Sequence, residues 1–242
     1  MRMLKHPERF FDYAQRYLLG YDIQDATLSG EFRMLRKLVS KANIVFEVGA
    51  NIGNHIEFYF NTNKNVEVHA FEPSPGSFQL LESKFSHNHR VILNNLALSN
   101  KQGTLDFHIY WETGGGNSIN YNSYQASIAK EVKVVKVEVN TLDNYIRTHL
   151  IQRIDFIKID VEGHEYKVLQ GLSESFALDK IAIIQFEYSS FTNEIGDSLT
   201  KICELLLLNR FRIYRITPWG KIRIVNFLRN ENRAGNYLAI KK

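Results

Sequence analysis

Five short apolar runs recur along the chain, at Ile44–Val48, Val66–Phe71, Val91–Leu93, Phe156–Val161 and Ala182–Glu187. Helix-length stretches near His55–Asn61, Gly76–Phe85 and His164–Phe176 lie between them. Near-continuous apolar character over so few residues is the pattern of a strand covered on both faces. Strand and helix alternating in this way predict an α/β fold, a doubly wound and mostly parallel sheet with right-handed crossovers. The 242 residues suffice for one such domain with a full core.

The flanks and the middle depart from simple alternation. Pro7–Leu19 and Ser29–Ser40 carry apolar residues at helical spacing (Phe32, Leu35, Leu38 and Val39 in the second), so residues 1–43 read as an N-terminal helical cap on a domain spanning 44–242. Thr104–Tyr110 and Val132–Asn140 read as strands around a polar loop, Glu112–Lys130, that contains Gly114–Gly116. They make an inserted β flap over about residues 104–140. A helix from Ser198 to Leu208 precedes three closing strands, Phe211–Thr217, Lys221–Phe227 and Asn236–Lys242.

Composition narrows the class. With 44% hydrophobic and 23% charged residues the chain is globular rather than disordered or fibrous. One cysteine, Cys203, excludes an intramolecular disulfide framework and a cysteine-based zinc site. No apolar run approaches the roughly 20 residues that cross a bilayer, and Met1–Arg16 lacks a signal-peptide apolar core. A cytoplasmic protein, at most peripheral at the inner face of the membrane, is expected. The net charge of +4 is uneven: Lys201–Lys242 carries +8 and the rest −4. Such a tail is either a solvated sheet edge or a surface for an acidic partner. Reversal of Arg212, Arg215 and Arg223 would separate the two.

Four stretches carry chemistry. In Val45–Gly53 an apolar strand enters a turn with glycines at 49 and 53, where a ligand can approach the backbone. The spacing lacks the G-x-G-x-x-G of dinucleotide binders, which points to a nucleoside ligand without a diphosphate. Val66–Phe71 ends in Glu72-Pro73, an acid placed to accept both hydroxyls of a ribose. Val91–Ser99 ends in Asn94-Asn95, whose amides suit an adenine edge, with Leu96 and Ala97 against its face. In Ile154–Glu165 a buried strand carries Lys158, Asp160 and Glu162, which period-2 alternation puts on one face, Lys158 and Asp160 roughly 7 Å apart at Cα. Charges inside a sheet need partners or a function. Glu187, on the next strand, adds an acid, so Asp160, Glu162 and Glu187 are expected to converge at the carboxyl edge with Lys158 beneath them.

Phe46–Gly53, Phe71–Pro73, Ala97-Leu98, Thr141–Asp143 and Phe156–Gly163, in this order and spacing over residues 44–190, resemble the FkbM family of S-adenosylmethionine-dependent methyltransferases. The resemblance implies a Rossmann-like class I methyltransferase with a seven-stranded sheet whose last strand is antiparallel. It implies that Glu47, Gly49, Asn51 and Gly53 line the methionine part of the cofactor, that Glu72 holds the ribose, that Asn95 and Ala97 lie near adenine, and that Asp160 faces the methionine amino group. Glu47 stands where the family usually has Asp. The family characteristically O-methylates hydroxyls of sugars, so the implied acceptor is a surface polysaccharide, lipopolysaccharide or glycan precursor, acidic or lipid-linked.

A sugar hydroxyl benefits from a base as its proton leaves. Glu162, Glu187 and His164 are the candidates, with Lys158 in the same catalytic cluster. A divalent cation on Asp160, Glu162 or Glu187 is an alternative that the Lys158 charge disfavours. Trp111, Asn117, Ser118 and Tyr121, with Asn120 and Tyr124, offer aromatic faces and hydrogen bonds for a sugar ring. Gly114–Gly116 would let the flap close and exclude water. Three rivals remain: a nucleic-acid methyltransferase, although no Asx-Pro-Pro-aromatic motif occurs; a nicotinamide oxidoreductase; and a non-catalytic glycan-binding module.

Overall fold

A computed structural model describes residues 29–189, 198–220, 222–224 and 234–242. The helix expected at Pro7–Leu19 lies outside these residues. In chain order the described elements are α1 (Glu31–Val39), β1 (Ile44–Val48), α2 (Asn54–Thr62), β2 (Glu67–Phe71), α3 (Pro75–Phe85), β3 (Val91–Asn94), β4 (Ala97–Leu98) and β5 (Gly103–Ile109). There follow α4 (Ser123–Ile128), β6 (Lys133–Asn140), α5 (Leu142–Thr148), β7 (Ile154–Ile159), α6 (Glu165–Gln170) and α7 (Ser173–Ala177). The chain closes with β8 (Ile181–Tyr188), α8 (Leu199–Leu208), β9 (Phe211–Ile216), β10 (Ile222–Ile224) and β11 (Gly235–Lys241).

The main sheet has the order β10-β9-β11-β8-β7-β1-β2-β3. From β3 to β8 the neighbours are parallel, and β11 runs antiparallel to both β8 and β9. These seven strands are the expected sheet. The short β10, antiparallel to β9, adds an eighth at the edge. The strand expected over Lys221–Phe227 is described only at Ile222–Ile224.

Alternation along the buried strands feeds two cores, one on each face. Phe46 and Val48 of β1 point to the face covered by α5, α6, α7 and α8, among Leu142, Tyr145, Val168, Leu172, Phe176 and Ile202. Val45 points to the other, with Ile56 and Tyr59 of α2, Leu81 and Phe85 of α3, and Met34, Leu35 and Val39 of α1. Each such side chain contributes about 1.5–3 kcal/mol when fully buried, so both faces are strongly held. The helix expected over His164–Phe176 is interrupted at Gly171-Leu172 and becomes α6 and α7. A Cβ on Gly171 would stand 2.3 Å from the Ser99 carbonyl, so the chain must yield there.

The flap is a second sheet of order β4-β6-β5, with β5 and β6 antiparallel from Gly103↔Val139 to Ile109↔Lys133. Its own core is Ala97, Phe107, Val137 and Val139. Among the described residues no helix is long and apolar enough to cross a membrane.

The basic tail is not a uniform surface. Arg215 is buried, donates to the Ala234 carbonyl at 2.6 Å and lies over the Tyr237 ring, so it is unavailable to a glycan. Arg210 and Lys241 are paired with Asp179 at 2.6 and 2.7 Å. Arg212 is exposed, and the side chain of Arg223 lies outside the described residues.

Candidate active site

At the carboxyl edge the chain leaving β1 folds over the end of β2. Gly49 and Ala50 both donate to the Phe71 carbonyl at 3.0 Å. Gly49 has φ 85, and a Cβ there would meet the Asp160 carbonyl at 1.8 Å, so no other residue fits. Asn51 follows with φ 48. Its amide donates to Glu72 Oε2 at 2.8 Å, and the Ser74 amide donates to Oε1 at 2.8 Å. Both oxygens of Glu72 are thus fixed by backbone. Burial still pushes its carboxyl up to about 7, against those two hydrogen bonds.

Glu72 opens onto a cleft of about 700 Å³, counting its open mouth. Gly49, Asn51 and Asp160 line one part; Phe71, Leu96, Ala97, Leu98, Phe107 and Ile119 form an apolar slot at another; Glu162, His164, Gly114–Gly116 and Asn117 close the flap side. The slot draws on Phe107 and Ile119 of the flap, which sequence reading did not assign to the cofactor. Period-2 alternation within β5 could have flagged Phe107.

Other expected residues lie elsewhere. Gly53 packs on α3, where a Cβ would meet Phe85 at 2.4 Å, and does not line the cleft. Asn95 turns from the adenine slot and donates to the Glu72 carbonyl at 2.8 Å, bracing the loop that carries the acid. Glu47 is fully buried, accepts from the Tyr59 hydroxyl and stands 3.3 Å from His55 Nδ1. It is paired across the sheet with Lys158, and burial raises its pKa.

Lys158 lies beneath the cleft, 1% exposed. Its ammonium donates to Asp160 Oδ2 at 2.7 Å and stands 3.7 Å from Glu31 Oε1. Burial opposes its charge, but Asp160, Glu31 and Glu47 outweigh it and hold the pKa above the usual range. Glu31, brought in by α1, also accepts from Gln185 at 2.6 Å. Burial raises its pKa, yet Lys158, His55 and Gln185 together bring it down to about 2. Lys158 is therefore a tied cation that fixes Asp160.

β7 ends at Ile159, so alternation stops before Glu162, which has φ 54 and turns toward the flap. Glu162 Oε1 accepts from the Gly116 amide at 3.0 Å. Burial first, and the Asp160 charge second, raise its carboxyl to about 7. Glu165, unassigned from sequence, is buried and accepts from the Val161 and Gly163 amides at 3.2 and 3.1 Å, holding this loop in shape. Burial lifts it to about 8. His164 is buried with Nε2 2.9 Å from Ser99 Oγ, and burial, with Lys167, lowers it to about 4. Glu187 is half-buried outside the cleft lining; the Asp160 charge and then burial raise its pKa. Among the described residues no group of three or more His, Cys, Asp or Glu is arranged around a metal position.

The flap residues divide likewise. Asn117 lines the cleft and ties off its own loop, accepting from the Tyr110 and Trp111 amides at 2.8 and 3.1 Å. Ser118 donates to the Glu162 carbonyl at 2.9 Å, and Asn120 to that of Gly163 at 3.0 Å. Trp111 donates to Gln125 at 3.1 Å outside the cleft, and Tyr121 is exposed against His108. Gly115 and Gly116 sit against Glu162 as part of the wall rather than at a remote hinge.

Whether the cleft suits a nucleoside bearing an amino acid can be judged from its donors and acceptors. Asn51 Oδ1 is buried in the wall with no hydrogen-bond partner among the described residues, an acceptor that asks for a ligand donor. Glu72 offers two fixed oxygens, Asp160 an acid for an ammonium, and the slot an apolar bed for a base. The residues fit S-adenosylmethionine.

The seven strands from β9 to β3, with β11 alone reversed among them, and a nucleoside cleft at the carboxyl ends of β1 and β2 define a Rossmann-like class I methyltransferase. Solved structures agree in fold. An O-methyltransferase from Bacillus cereus in complex with SAH has a TM-score of 0.50 at 13% identity, over 98% of this chain and 90% of its own. A putative rRNA-methylase from Clostridium thermocellum has a TM-score of 0.51 at 12% identity, over 89% and 96%. The family model of the methyltransferase FkbM domain matches residues 47–214, and the chain belongs to that family of S-adenosylmethionine-dependent methyltransferases. Among its relatives, hexuronic acid methyltransferase AglP of Haloferax volcanii is 26% identical over 190 residues, 76% of this chain and 74% of its own. The 2-O-methyltransferase NoeI of Sinorhizobium fredii is 26% identical over 169 residues, 65% of this chain and 68% of its own.

Proposed function

We propose that this methyltransferase transfers the methyl group to a hydroxyl of a sugar within a glycan or glycan precursor. The relatives that act on hexuronic acid and at a 2-O position support the acceptor class. The observation that carries the chemistry is Glu162, which faces the cleft from the flap side with its pKa near neutrality. Its Oε2 has no hydrogen-bond partner among the described residues.

S-adenosylmethionine supplies an activated methyl group, so the protein has only to align an acceptor oxygen and take its proton. In this reading Glu72 accepts from the ribose hydroxyls, Asn51 Oδ1 takes a cofactor donor, and Asp160 holds the methionine ammonium. The slot formed by Ala97, Leu98 and Phe107 receives the adenine. Glu162 takes the acceptor proton through Oε2, since a carboxylate with pKa about 7 is matched to work near neutral pH. His164 is too weak a base at about 4 and is engaged with Ser99, and Glu187 does not line the cleft, so neither is the base in this reading. Lys158 acts through Asp160 as a positioning residue. With the Lys158 ammonium already paired to Asp160 at 2.7 Å, the reading does not call on a divalent cation.

Calorimetric titration with S-adenosylhomocysteine, on wild type and Glu72→Ala side by side, tests the pocket. Binding to wild type that weakens about 10–100-fold in the variant is expected from loss of a charged hydrogen-bonding group. No binding to wild type overturns the pocket assignment. Methyl transfer to RNA or to an amine, with none to saccharide hydroxyls, overturns the acceptor class.

A further inference from the structure

A second concavity lies apart from the cofactor cleft, between α1, α2 and the turn after β9. It is an open groove of about 1160 Å³ lined by Phe32, Arg33, Arg36, Lys37, Phe58 and Trp219, none of which touches the cofactor cleft. Arg33, Arg36 and Lys37 stand at helical spacings of three and four on α1, so their charges share one exposed face. Like charges so placed oppose helix formation unless an anion joins them. None of the three has an ion-pair partner among the described residues. Among the described residues the acids nearest in sequence on α1 and α2 are committed elsewhere: Glu31 turns inward to Lys158, and Glu57 pairs with Lys84 at 3.1 Å.

The apolar part is equally specific. Phe32 and Phe58 stack at 4.5 Å between centroids, and the Arg36 guanidinium lies 5.8 Å over the Phe58 ring. Trp219 is 49% exposed beside them. The turn that carries it is pressed on the start of α1, for a Cβ on Gly220 would meet Arg33 Cβ at 2.5 Å. Aromatic faces beside exposed cations suit a chain of rings that bears acid groups, and the hollow shape suits an extended strand rather than a flat bilayer.

The location joins the two sites. β9 runs in the same sense as β8, so the turn at 217–220 stands at the carboxyl edge that holds Asp160 and Glu162. β9 is three strands from β7, roughly 14 Å at ordinary strand spacing. We infer that the groove of Arg33, Arg36, Lys37 and Trp219 binds the acidic part of an oligosaccharide acceptor whose terminal sugar reaches the cleft. The inference rests on the sugar-acceptor reading and adds that the acceptor is anionic and longer than one residue.

Trp219 is one of two tryptophans and provides the signal. The full chain, saturated with S-adenosylhomocysteine, would be titrated with an oligogalacturonate and with a neutral maltooligosaccharide, following tryptophan fluorescence and heat. The acidic oligomer is expected to bind and the neutral one not. Arg33→Glu/Arg36→Glu is expected to weaken binding about tenfold or more, and Trp219→Phe to abolish the fluorescence change. Raised salt should weaken the wild-type interaction. S-adenosylhomocysteine affinity should stay level in every variant, which also reports that the variants fold. Equal binding by the double variant, equal binding of the neutral oligomer, no binding of the acidic one, or binding to anionic phospholipid vesicles alone would each overturn the inference. Methylation of a neutral glycan at the same rate in wild type and double variant keeps the sugar reading and removes this one. Absence of cofactor binding, by contrast, strikes the earlier reading.

Discussion

The two sides of the cleft are built on different terms. On the β1–β2 side the acid and its turn are braced: both Glu72 oxygens by backbone amides, the Glu72 carbonyl by the Asn95 side chain, the Gly49 turn by the Phe71 carbonyl. Asp160 is fixed from below by a buried lysine. On the flap side Glu162 is held by one amide from a run of three glycines, and the flap is latched to the loop by Ser118 and Asn120. A cofactor common to the fold can be met by a rigid half-site, whereas an acceptor must enter, be enclosed and leave. The same cleft thus separates what is preorganised from what can move.

Breaking the rigid side should have the largest effect. Lys158→Met leaves Asp160, Glu31 and Glu47 together without their cation, and removing one partner of a buried charge set costs about 3–5 kcal/mol. Chemical denaturation should show a loss of that order. Adding Glu31→Gln should restore part of it. A full-stability Lys158→Met protein would mean that the cluster contributes nothing to the braced half.

Breaking the flap side should leave stability nearly unchanged and slow the reaction. Glu162→Gln is expected to lower kcat about 100-fold, the lower range for loss of a general base, with S-adenosylhomocysteine affinity retained. Because a base acts when deprotonated, wild-type kcat should rise with pH through about 7, and the variant's profile should be flat there. A parallel loss of cofactor affinity would place Glu162 in the rigid half instead.

The pH dependence of cofactor binding sharpens the contrast. Glu72 sits at about 7 in the folded chain, and hydroxyl donors favour its charged form, so S-adenosylhomocysteine should bind more tightly as pH rises through 7. Glu72→Gln should lose that dependence. Stability without ligand should move the other way. Glu72, Glu162 and Glu165 have folded values raised to about 7, 7 and 8 from 4.5, so the folded chain binds more protons in that window. Their contribution is fully present below about 4.5 and is lost as pH rises through the folded values. Thermal scans with and without ligand across this range check both signs.

The braced half was also the more legible in sequence, for a physical reason. Apolar runs and the Gly49 turn are dictated by local sterics and burial, so β1, β2, β7 and Glu72 stand where alternation and strand ends put them. Side chains beyond strand ends obey no period. Glu162 leaves the face expected for it because β7 stops at Ile159, and Asn95 turns to a carbonyl rather than to the slot. Glu47 is the instructive case: the family resemblance implies that it lines the cofactor, but alternation with Val45 sends it to the α1–α2 face. α4 and α5 went unassigned because each is short, with few apolar positions to set a period. Phe107 and Ile119 reach the slot only through tertiary folding of the flap.

The smallest effect should come from loosening the latch alone. Ser118 is 1% exposed and donates to the Glu162 carbonyl, so Ser118→Ala leaves that acceptor short of one partner, at about 1 kcal/mol. Such a loss is too small to unfold the domain and is confined to the contact between flap and loop. Hydrogen exchange should therefore quicken at the flap amides, those of Tyr110, Trp111 and Gly116 among them. The Asn51 and Ser74 amides, which serve Glu72, should keep their protection. If the two halves are mechanically distinct, KM for the acceptor should rise severalfold while S-adenosylhomocysteine affinity holds. Equal quickening of exchange on both sides would make the cleft one cooperative unit, and the division between a fixed and a movable wall would fail.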